Sequence, residues 1–434
     1  MHRRARLFNI GMSLLVTTSL VAAGGCGTAG PGGSRDKIQV WALQDPQNEP
    51  VIEAGLGLFN QSSPVTAELV TYVNDAYKQK LHVSMGSPNA PDVFFNWGGG
   101  NLAEFVNANQ VVDLSHALAA RPDVRDAFLP SVLAVGRISN GQYGLPMNGI
   151  QPVVLFYHKG VFDKAGLQPP KTWADLLSLV EEFKSRKITP IALPGSQGWT
   201  ELMYLEYLLD RIGGPDRFSA IAAQRSGAWR DPSVLRALQM CQELAERGAF
   251  GTNFASINYD NTGASKLFAT GKAAMFLMGS WEYTSQLSNN PEFVKRGDLA
   301  WTTFPTVDGG LGDAANVVGN PANYFSISAS SPHVRDATTL LIETLSSEEY
   351  VEDLVNSGQV PAVAGVEAKL AGTPNAEFAT FTYEMVAKAP SFTQSWDQAL
   401  SPAVGTEMLT NLQKLFLSKI TPEEFVTAME KVSS

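Results

Sequence analysis

Tryptophan, amide and carboxylate side chains are grouped at several places in the 434-residue chain, mostly next to predicted strand ends. These segments are Asn96–Trp97, Asn148–Gln151, Gln197–Glu201 with Trp199 at its centre, Trp281–Glu282 and Trp396–Asp397. Open α/β sheets bind their ligands at strand ends. A carbohydrate has apolar C–H faces that match indole rings, and hydroxyls that match Asp, Asn, Gln and Glu side chains. The segments therefore indicate a site for a hydroxylated ligand.

None of these segments contains lysine or arginine. A phosphate ester or a free carboxylate would be expected to need a basic partner, so the pattern favours a neutral ligand. Other solutes stay open as alternatives. A basic residue reaching the site would favour glycerol phosphate, a box of carboxylates would favour a polyamine, and a polyol would need neither.

Enzyme motifs are sparse in the sequence. The five histidines are scattered, without the His-Glu-x-x-His spacing of a zinc site, so we expect no metal and no cofactor. Gly98–Ala103 fits Gly-x-Gly-x-x-Ala, but we interpret its small residues as letting something approach a helix N-terminus closely. Asp45, Glu201 and Glu282 could supply the carboxylate pair of a glycoside hydrolase. An exported glycosidase is therefore the main alternative to a binding protein.

The N-terminus has the layout of a secretory signal. Met1–Arg6 is basic, Leu7–Ala23 is uncharged and mostly apolar, and small residues lead up to Cys26. This order predicts a signal peptide over residues 1–25, with a twin-arginine route open beside general secretion. The ending on cysteine resembles a lipobox. We therefore expect a lipid on Cys26, a flexible tether over residues 26–36 and a body held on the extracellular face of the membrane.

Composition excludes several classes of protein. The chain is 44% hydrophobic, which is too apolar for a disordered protein, and two cysteines cannot build a disulfide scaffold. The formal net charge of −10 becomes −13 without the three arginines of the signal. Such an acidic surface argues against nucleic acid as a partner. Cys241 lies on the apolar face of a predicted helix, where we expect a buried, inert thiol.

Strands and helices alternate in the first hundred residues after the tether. Strands are predicted at Ile38–Leu43, Val65–Val73 and Asp92–Phe95, with helices at about Glu49–Asn60 and Tyr77–Met85 between them. This alternation predicts a parallel α/β sheet. Further strands are expected at 153–157, 273–278 and 324–328, and further helices at 172–187, 201–212, 231–247, 262–269, 334–345, 347–357 and 422–431.

One stretch carries a specific family resemblance. Gly271–Met275 leading to Gly279–Trp281 closely resembles the Gly-Lys-Ala-Ala-Met…Gly-x-Trp of the maltose-binding type. Other family segments follow in order at 143–146, 155–159, 170–176, 304–305 and 360–361. The chain thus resembles extracellular solute-binding family 1, the sugar-binding lipoproteins of bacterial ABC importers, over nearly all of its mature length.

The resemblance implies an α/β fold of the two-lobe periplasmic-binding-protein type, with a hinge and a ligand cleft between the lobes. The expected N-terminal lobe comprises 37–149 and 322–357, and the C-terminal lobe 150–321 and 358–434. A monomeric, non-catalytic receptor is implied, which captures a neutral carbohydrate such as a small oligosaccharide. It would deliver this carbohydrate to the transmembrane subunits of an ABC permease.

The resemblance also assigns contacts residue by residue. Trp281 matches the family's stacking tryptophan, Trp396 a second stacking aromatic, and Gln151 a polar contact at the hinge edge. The expected ligand contacts are Gln44, Asp45, Asn96, Trp97, Asn148, Gln151, Trp199, Trp281, Glu282 and Trp396. The amide at Gln151, where the maltose-binding type has a carboxylate, implies a different sugar.

Overall fold

Two large β-sheets, each with its own cluster of buried apolar side chains, organise the described part of the chain. The structure is a computed structural model and describes residues 36–433. The strands are β1 (Lys37–Leu43), β2 (Thr66–Tyr72), β3 (Val93–Asn96), β4 (Arg137–Ile138), β5 (Gly141–Gln142), β6 (Leu145–Pro146), β7 (Gln151–His158), β8 (Thr189–Ala192), β9 (Ala273–Gly279), β10 (Leu299–Thr302), β11 (Val317–Asn320), β12 (Tyr324–Ile327) and β13 (Phe392–Gln394).

Helices cover both sheets. They are α1 (Glu49–Ser62), α2 (Asn74–Ser84), α3 (Gly99–Asn107), α4 (Ser115–Ala120), α5 (Pro122–Ala127), α6 (Pro130–Leu133), α7 (Lys159–Ala165), α8 (Trp173–Ser185), α9 (Gly198–Gly213), α10 (Pro215–Ala222), α11 (Pro232–Glu246), α12 (Gly263–Ala269), α13 (Trp281–Asn289), α14 (Pro291–Lys295), α15 (Val334–Thr344), α16 (Glu348–Asn356), α17 (Glu367–Ala371), α18 (Ala376–Ala387), α19 (Trp396–Ala399), α20 (Pro402–Phe416) and α21 (Pro422–Val432).

The sheets are mixed, which corrects the prediction of a parallel sheet. The first sheet has the order β2-β1-β3-β12-β6. β1 runs parallel to β2 and β3, as the alternation predicts, but β12 is antiparallel to β3 and β6. The second sheet has the order β13-β11-β7-β9-β8, with β10 also paired to β7. The prediction failed because β12 enters the first sheet from a distant part of the chain.

Each sheet carries a separate core. The first core takes buried side chains from 38–150 and 322–370, together with Ala379. The second takes them from 153–318, Phe378 and 396–429. We call the first sheet with its core the first lobe, and the second sheet with its core the second lobe. The predicted end of the N-terminal lobe at residue 357 is too early, because Val360 to Leu370 pack in the first core.

Short bridges between distant segments explain that correction. Gly149 pairs with Pro361 and Phe128 with Val363, and both bridges are antiparallel. They draw the segment after α16 back against the first lobe. The other predicted lobe boundaries stay predictions.

Local signals were accurate where they were strongest. Thr172 caps α8 in a reciprocal capping box with Asp175, and the Asp231 side chain accepts from the Ser233 amide at the start of α11. Cys241 on α11 is fully buried, and burial raises the pKa of its thiol. The predicted inert core cysteine is therefore confirmed as buried.

The predicted signal peptide over 1–25, the lipid site Cys26 and all but the last residue of the tether lie outside the described residues. Within residues 36–433, no helix combines the length and the apolar character that crossing a bilayer requires.

Candidate ligand-binding cleft

A cavity of about 340 Å³ opens between the two lobes. Ligand pockets in proteins usually measure roughly 300–1,000 Å³, so this one suits a small ligand. Seven of the ten predicted contact residues line it: Gln44, Asp45, Trp97, Asn148, Gln151, Trp199 and Trp281. The structure thus brings together segments that are far apart in the sequence.

The first lobe contributes what we call the polar wall, made of Gln44–Asn48, Lys78, Trp97 and Asn148. The loop after β1 turns back on itself, because Asp45 Oδ1 accepts from the backbone amides of Gln47 at 2.9 Å and Asn48 at 3.3 Å. Burial raises the pKa of Asp45, and these two amides act in the opposite direction. The carboxyl group is therefore partly desolvated at the edge of the cavity.

The second lobe contributes the aromatic wall, made of Trp199, Tyr259 and Trp281. The ring centroid of Trp199 lies 5.5 Å from that of Tyr259, edge to face, and 6.2 Å from that of Trp281. Trp281 follows β9 and folds across Gly279. A Cβ on Gly279 would come within 1.9 Å of the indole, so only glycine fits there.

Five residues of the cavity lining carry unpartnered polar atoms. Asn148 Nδ2, Trp199 Nε1, Asn320 Oδ1, Asn323 Oδ1 and Gln398 Oε1 are buried and have no hydrogen-bond partner within residues 36–433. Leaving such a group unsatisfied costs roughly 1–3 kcal/mol. Two donors and three acceptors beside exposed aromatic faces match a ligand that both donates and accepts, as hydroxyl groups do.

Glu282 does not line the cavity, which corrects its predicted contact role. Its side chain is fully buried behind the aromatic wall. Oε2 accepts from the hydroxyls of Tyr259 and Ser265, each at 3.0 Å, and Oε1 accepts from Gln286 Nε2 at 2.5 Å. The prediction erred because Glu282 lies in the first turn of α13, one residue past Trp281, and therefore on a different face of the helix.

Trp396 was also predicted to contact the ligand, but its side chain lies in the second core. It is 1% exposed, and its ring stacks on Phe218 at 4.6 Å and 7° inside the second core. Its backbone amide donates to Glu206 at 2.8 Å. The neighbouring Asp397 and Gln398 line the cavity instead.

Asn96 is the third predicted contact that lies outside the cavity lining. It is 1% exposed, its Nδ2 donates to Ser326 Oγ at 2.8 Å, and its Oδ1 accepts from the Gly98 amide at 2.9 Å. This amide therefore joins β3 to β12 and holds the turn before α3. Its hydrogen-bonding capacity is used within the lobe.

The glycine triplet after Trp97 admits the protein's own chain rather than a ligand. A Cβ on Gly100 would lie 2.3 Å from the carbonyl oxygen of Leu400, and one on Gly99 2.4 Å from Gln394 Oε1. Gln394 Nε2 also donates to the Trp97 carbonyl at 2.7 Å. The predicted close approach is thus confirmed, and the second lobe is what approaches.

Hydrogen bonds also join the lobes across the cavity mouth. Lys78 Nζ lies 3.4 Å from Asp397 Oδ2 and 4.8 Å from the centroid of the Trp97 ring. Gln197 Nε2 donates to Asp75 Oδ2 at 3.4 Å, and Gln47 Nε2 donates to Ser288 Oγ. These contacts hold the two lobes together around the cavity.

Several lining residues escaped the sequence prediction. Lys78, Tyr259, Asp260, Asn320 and Asn323 line the cavity. Lys78 brings a cation to a site whose predicted segments contain none, but its ammonium is already paired with Asp397 and lies over the Trp97 ring, so its charge does not point to an anionic ligand. Lys78 lies on a helix, where an isolated lysine gives no signal. Asn320 and Asn323 could have been found, since both directly precede the predicted strand that begins at residue 324.

Of the three carboxylates considered for glycoside hydrolysis, only one lines the cavity. Asp45 lines the cavity, whereas Glu201 and Glu282 are buried apart from its lining. Burial raises the pKa of Glu201 to about 9. Among residues 36–433, no group of three or more His, Cys, Asp or Glu side chains is arranged to hold a metal ion.

Residues 43–352 match the model of the bacterial extracellular solute-binding protein family. The chain belongs to this family. The multiple sugar-binding protein of Streptococcus mutans is 31% identical to it over 355 residues, which span 75% of this chain and 78% of that protein. An uncharacterized ABC transporter extracellular-binding protein of Pyrococcus horikoshii is 27% identical over 206 residues, but the match spans only 45% of that protein.

Solved structures of solute-binding proteins share the two-lobe fold. A structure described with xylan utilization by Caldanaerobius polysaccharolyticus has a TM-score of 0.78 at 24% identity, covering 91% of this chain and 99% of that one. A chitin oligosaccharide binding protein has a TM-score of 0.81 at 23% identity, covering 92% and 98%. The predicted two-lobe α/β fold is confirmed.

Proposed function

We propose that this solute-binding protein is the receptor of an ABC importer and captures a neutral carbohydrate between its lobes. The observation that carries the proposal is the cavity itself. Its aromatic wall offers ring faces, and five residues around it present buried polar atoms that have no partner among residues 36–433. The multiple sugar-binding protein of Streptococcus mutans, by its name, binds sugars and is similar over three quarters of this chain.

The proposed ligand contacts are the lining residues of both walls. Trp199 and Trp281 stack against the sugar, while Gln44, Asp45, Asn148 and Gln151 contact its hydroxyls. The volume of about 340 Å³ suits a small oligosaccharide or a monosaccharide rather than a long chain. Trp97 meets the ligand at an edge, because Lys78 covers one face of its ring.

The proposed capture step is a hinge closure. The chain passes from the first core to the second between Ile150 and Val153, and returns between Val318 and Ala322. Gln151 lies at the first crossing and Asn323 directly after the second, and their side chains are joined at 3.0 Å. We further propose that the protein works as a monomer, anchored through Cys26 on the extracellular face, and delivers its ligand to the permease.

A thermal-shift panel tests this function. Mono-, di- and trisaccharides are compared with a polyol, glycerol phosphate and spermidine, and a bound ligand raises the melting temperature. We expect at least one neutral sugar to do so. A rise with glycerol phosphate or spermidine alone would overturn the carbohydrate assignment. Release of shorter products from the best oligosaccharide would instead support a hydrolase.

A further inference from the structure

A buried carboxylate stands directly behind the aromatic wall. Glu282 is fully buried, and its three hydrogen bonds come from the neutral side chains of Tyr259, Ser265 and Gln286. A carboxylate only accepts, so it can orient three donors toward itself at once. An amide at the same place would turn one of these acceptor sites into a donor.

The hydroxyl that Glu282 holds belongs to a ring of the cavity. Tyr259 lines the cavity and packs edge to face against Trp199, which in turn packs against Trp281. The three rings therefore share one support. A change in the tilt of Tyr259 would shift the Trp199 ring, since the two centroids lie only 5.5 Å apart.

The same loop reaches the other lobe. The Tyr259 amide donates to Gln197 Oε1 at 2.8 Å, and Gln197 Nε2 donates to Asp260 at 3.1 Å and across the cleft to Asp75 at 3.4 Å. Glu282 thus anchors one end of a hydrogen-bonded path whose other end is Asp75 of the first lobe.

We propose that Glu282 is a positioning residue, which sets the affinity for the ligand by fixing the Tyr259 hydroxyl and through it the aromatic wall. This inference rests on the proposed carbohydrate-binding function. Glu282 itself does not touch the ligand. Its effect on binding passes through Tyr259.

Protonation of Glu282 should change the position of the aromatic wall, which a merely structural role of Glu282 would not do. Burial raises the pKa of Glu282 to about 7, and the hydrogen bonds from Gln286, Ser265 and Tyr259 lower it. The titratable groups near it are Tyr259, the adjacent Asp260 in the cavity lining and, beyond the Tyr259 hydroxyl, Asp45 of the first lobe. A proton on Glu282 removes one acceptor site. The wall should therefore loosen as pH falls through neutrality.

A double-mutant cycle tests the coupling with the tightest sugar of the panel. We expect Glu282→Gln and Tyr259→Phe each to weaken binding about tenfold. The double variant should stay within about threefold of the weaker single variant. Glu201→Gln, at a buried carboxylate that does not line the cavity, is the matched control and should leave affinity unchanged. Wild-type affinity in Glu282→Gln, or additive losses, would overturn the proposal.

A ligand-free measurement separates this inference from the proposed function. With 5-fluorotryptophan, ¹⁹F NMR should show the Trp199 and Trp281 resonances titrating with a midpoint near the Glu282 pKa of about 7. The titration should vanish in Glu282→Gln and Tyr259→Phe, while Trp229 stays constant. A titration without sugar binding would support the positioning role and refute the function. Its absence from the wild-type protein would overturn the positioning role.

Discussion

The two walls of the cleft use tryptophan differently, although the sequence presents both rings in the same way. Trp97 and Trp281 each follow a strand, and each has a glycine within two residues. Trp97 is 6% exposed, wedged edge-on against Phe95 at 5.0 Å and covered by the Lys78 ammonium. Trp281 is only partly buried and shares the cavity with Trp199. The sequence pattern therefore finds the position of such a ring, and the distant residues packed on it decide its use.

Trp396 is the extreme case of a ring that supports the lobe. We expect Trp396→Ala to lower the free energy of unfolding by about 3–5 kcal/mol, because it empties a fully packed site against Phe218. Urea denaturation measures this loss. Trp396→Phe keeps a ring on Phe218 and should recover much of the stability. Sugar affinity of the folded protein should change little, and a strong loss of affinity at normal stability would return Trp396 to the ligand site.

Trp281 is the opposite case, a ring that faces the ligand. Trp281→Ala should weaken sugar binding by roughly 1–3 kcal/mol, through lost burial and lost C–H contacts. Trp97→Ala should weaken binding less than Trp281→Ala but destabilise the fold more, since the Trp97 ring packs against Tyr77 and Phe95 as well as Lys78. Isothermal titration calorimetry measures the first difference and urea denaturation the second.

Trp301 supplies the control for this pair. It packs on Tyr283 and Phe378 in the second lobe and does not line the cavity. Trp301→Ala should therefore reduce stability without reducing affinity. Equal affinity losses for Trp97→Ala and Trp281→Ala would remove the distinction between the two walls.

A buried carboxylate should make the stability of the protein depend on pH. Glu201, with Oε2 unpartnered, has its pKa raised from 4.5 to about 9 by burial. Because its pKa is higher in the folded state, the contribution of Glu201 to the free energy of unfolding falls as pH rises from about 4.5 through 9. Glu201→Met should thus stabilise the protein by about 1–3 kcal/mol at pH 8 and by less at pH 5. Thermal unfolding at both values measures this, with Glu53→Gln on the surface as control. Equal gains at both pH values would contradict it.

The sequence was sufficient where a signal is local. The Thr172–Asp175 capping box fixed the start of α8, and polar loops after strands led to Gln44, Asp45 and Trp281 at the cavity. Strand ends converge in an α/β fold, so their loops can be assigned to one site without knowing the lobes in detail.

Long-range packing was beyond the sequence. The stacking of Trp396 on Phe218 joins α19 to α10, and nothing near either residue in the chain indicates it. Lys78 reaches the cavity only because α2 is brought beside Asp397 of the other lobe. Whether Trp281 or Glu282 faces the cavity depends on the exact rotation of α13, because neighbouring residues of a helix point to different faces.

The ion pair between Lys78 and Asp397 is expected to have the smallest effect on ligand affinity. Lys78 is 31% exposed and Asp397 5%, and their pair at 3.4 Å links the lobes. Partly exposed ion pairs contribute little, so Lys78→Met should weaken sugar binding by at most about 1 kcal/mol. The loss should be greater at low than at high salt. Lys80→Met is the matched control, because its ammonium lies over Trp41 and Tyr72 within the first lobe. If both variants lost the same affinity, the effect would come from the first lobe alone and not from the link that closes it on the aromatic wall.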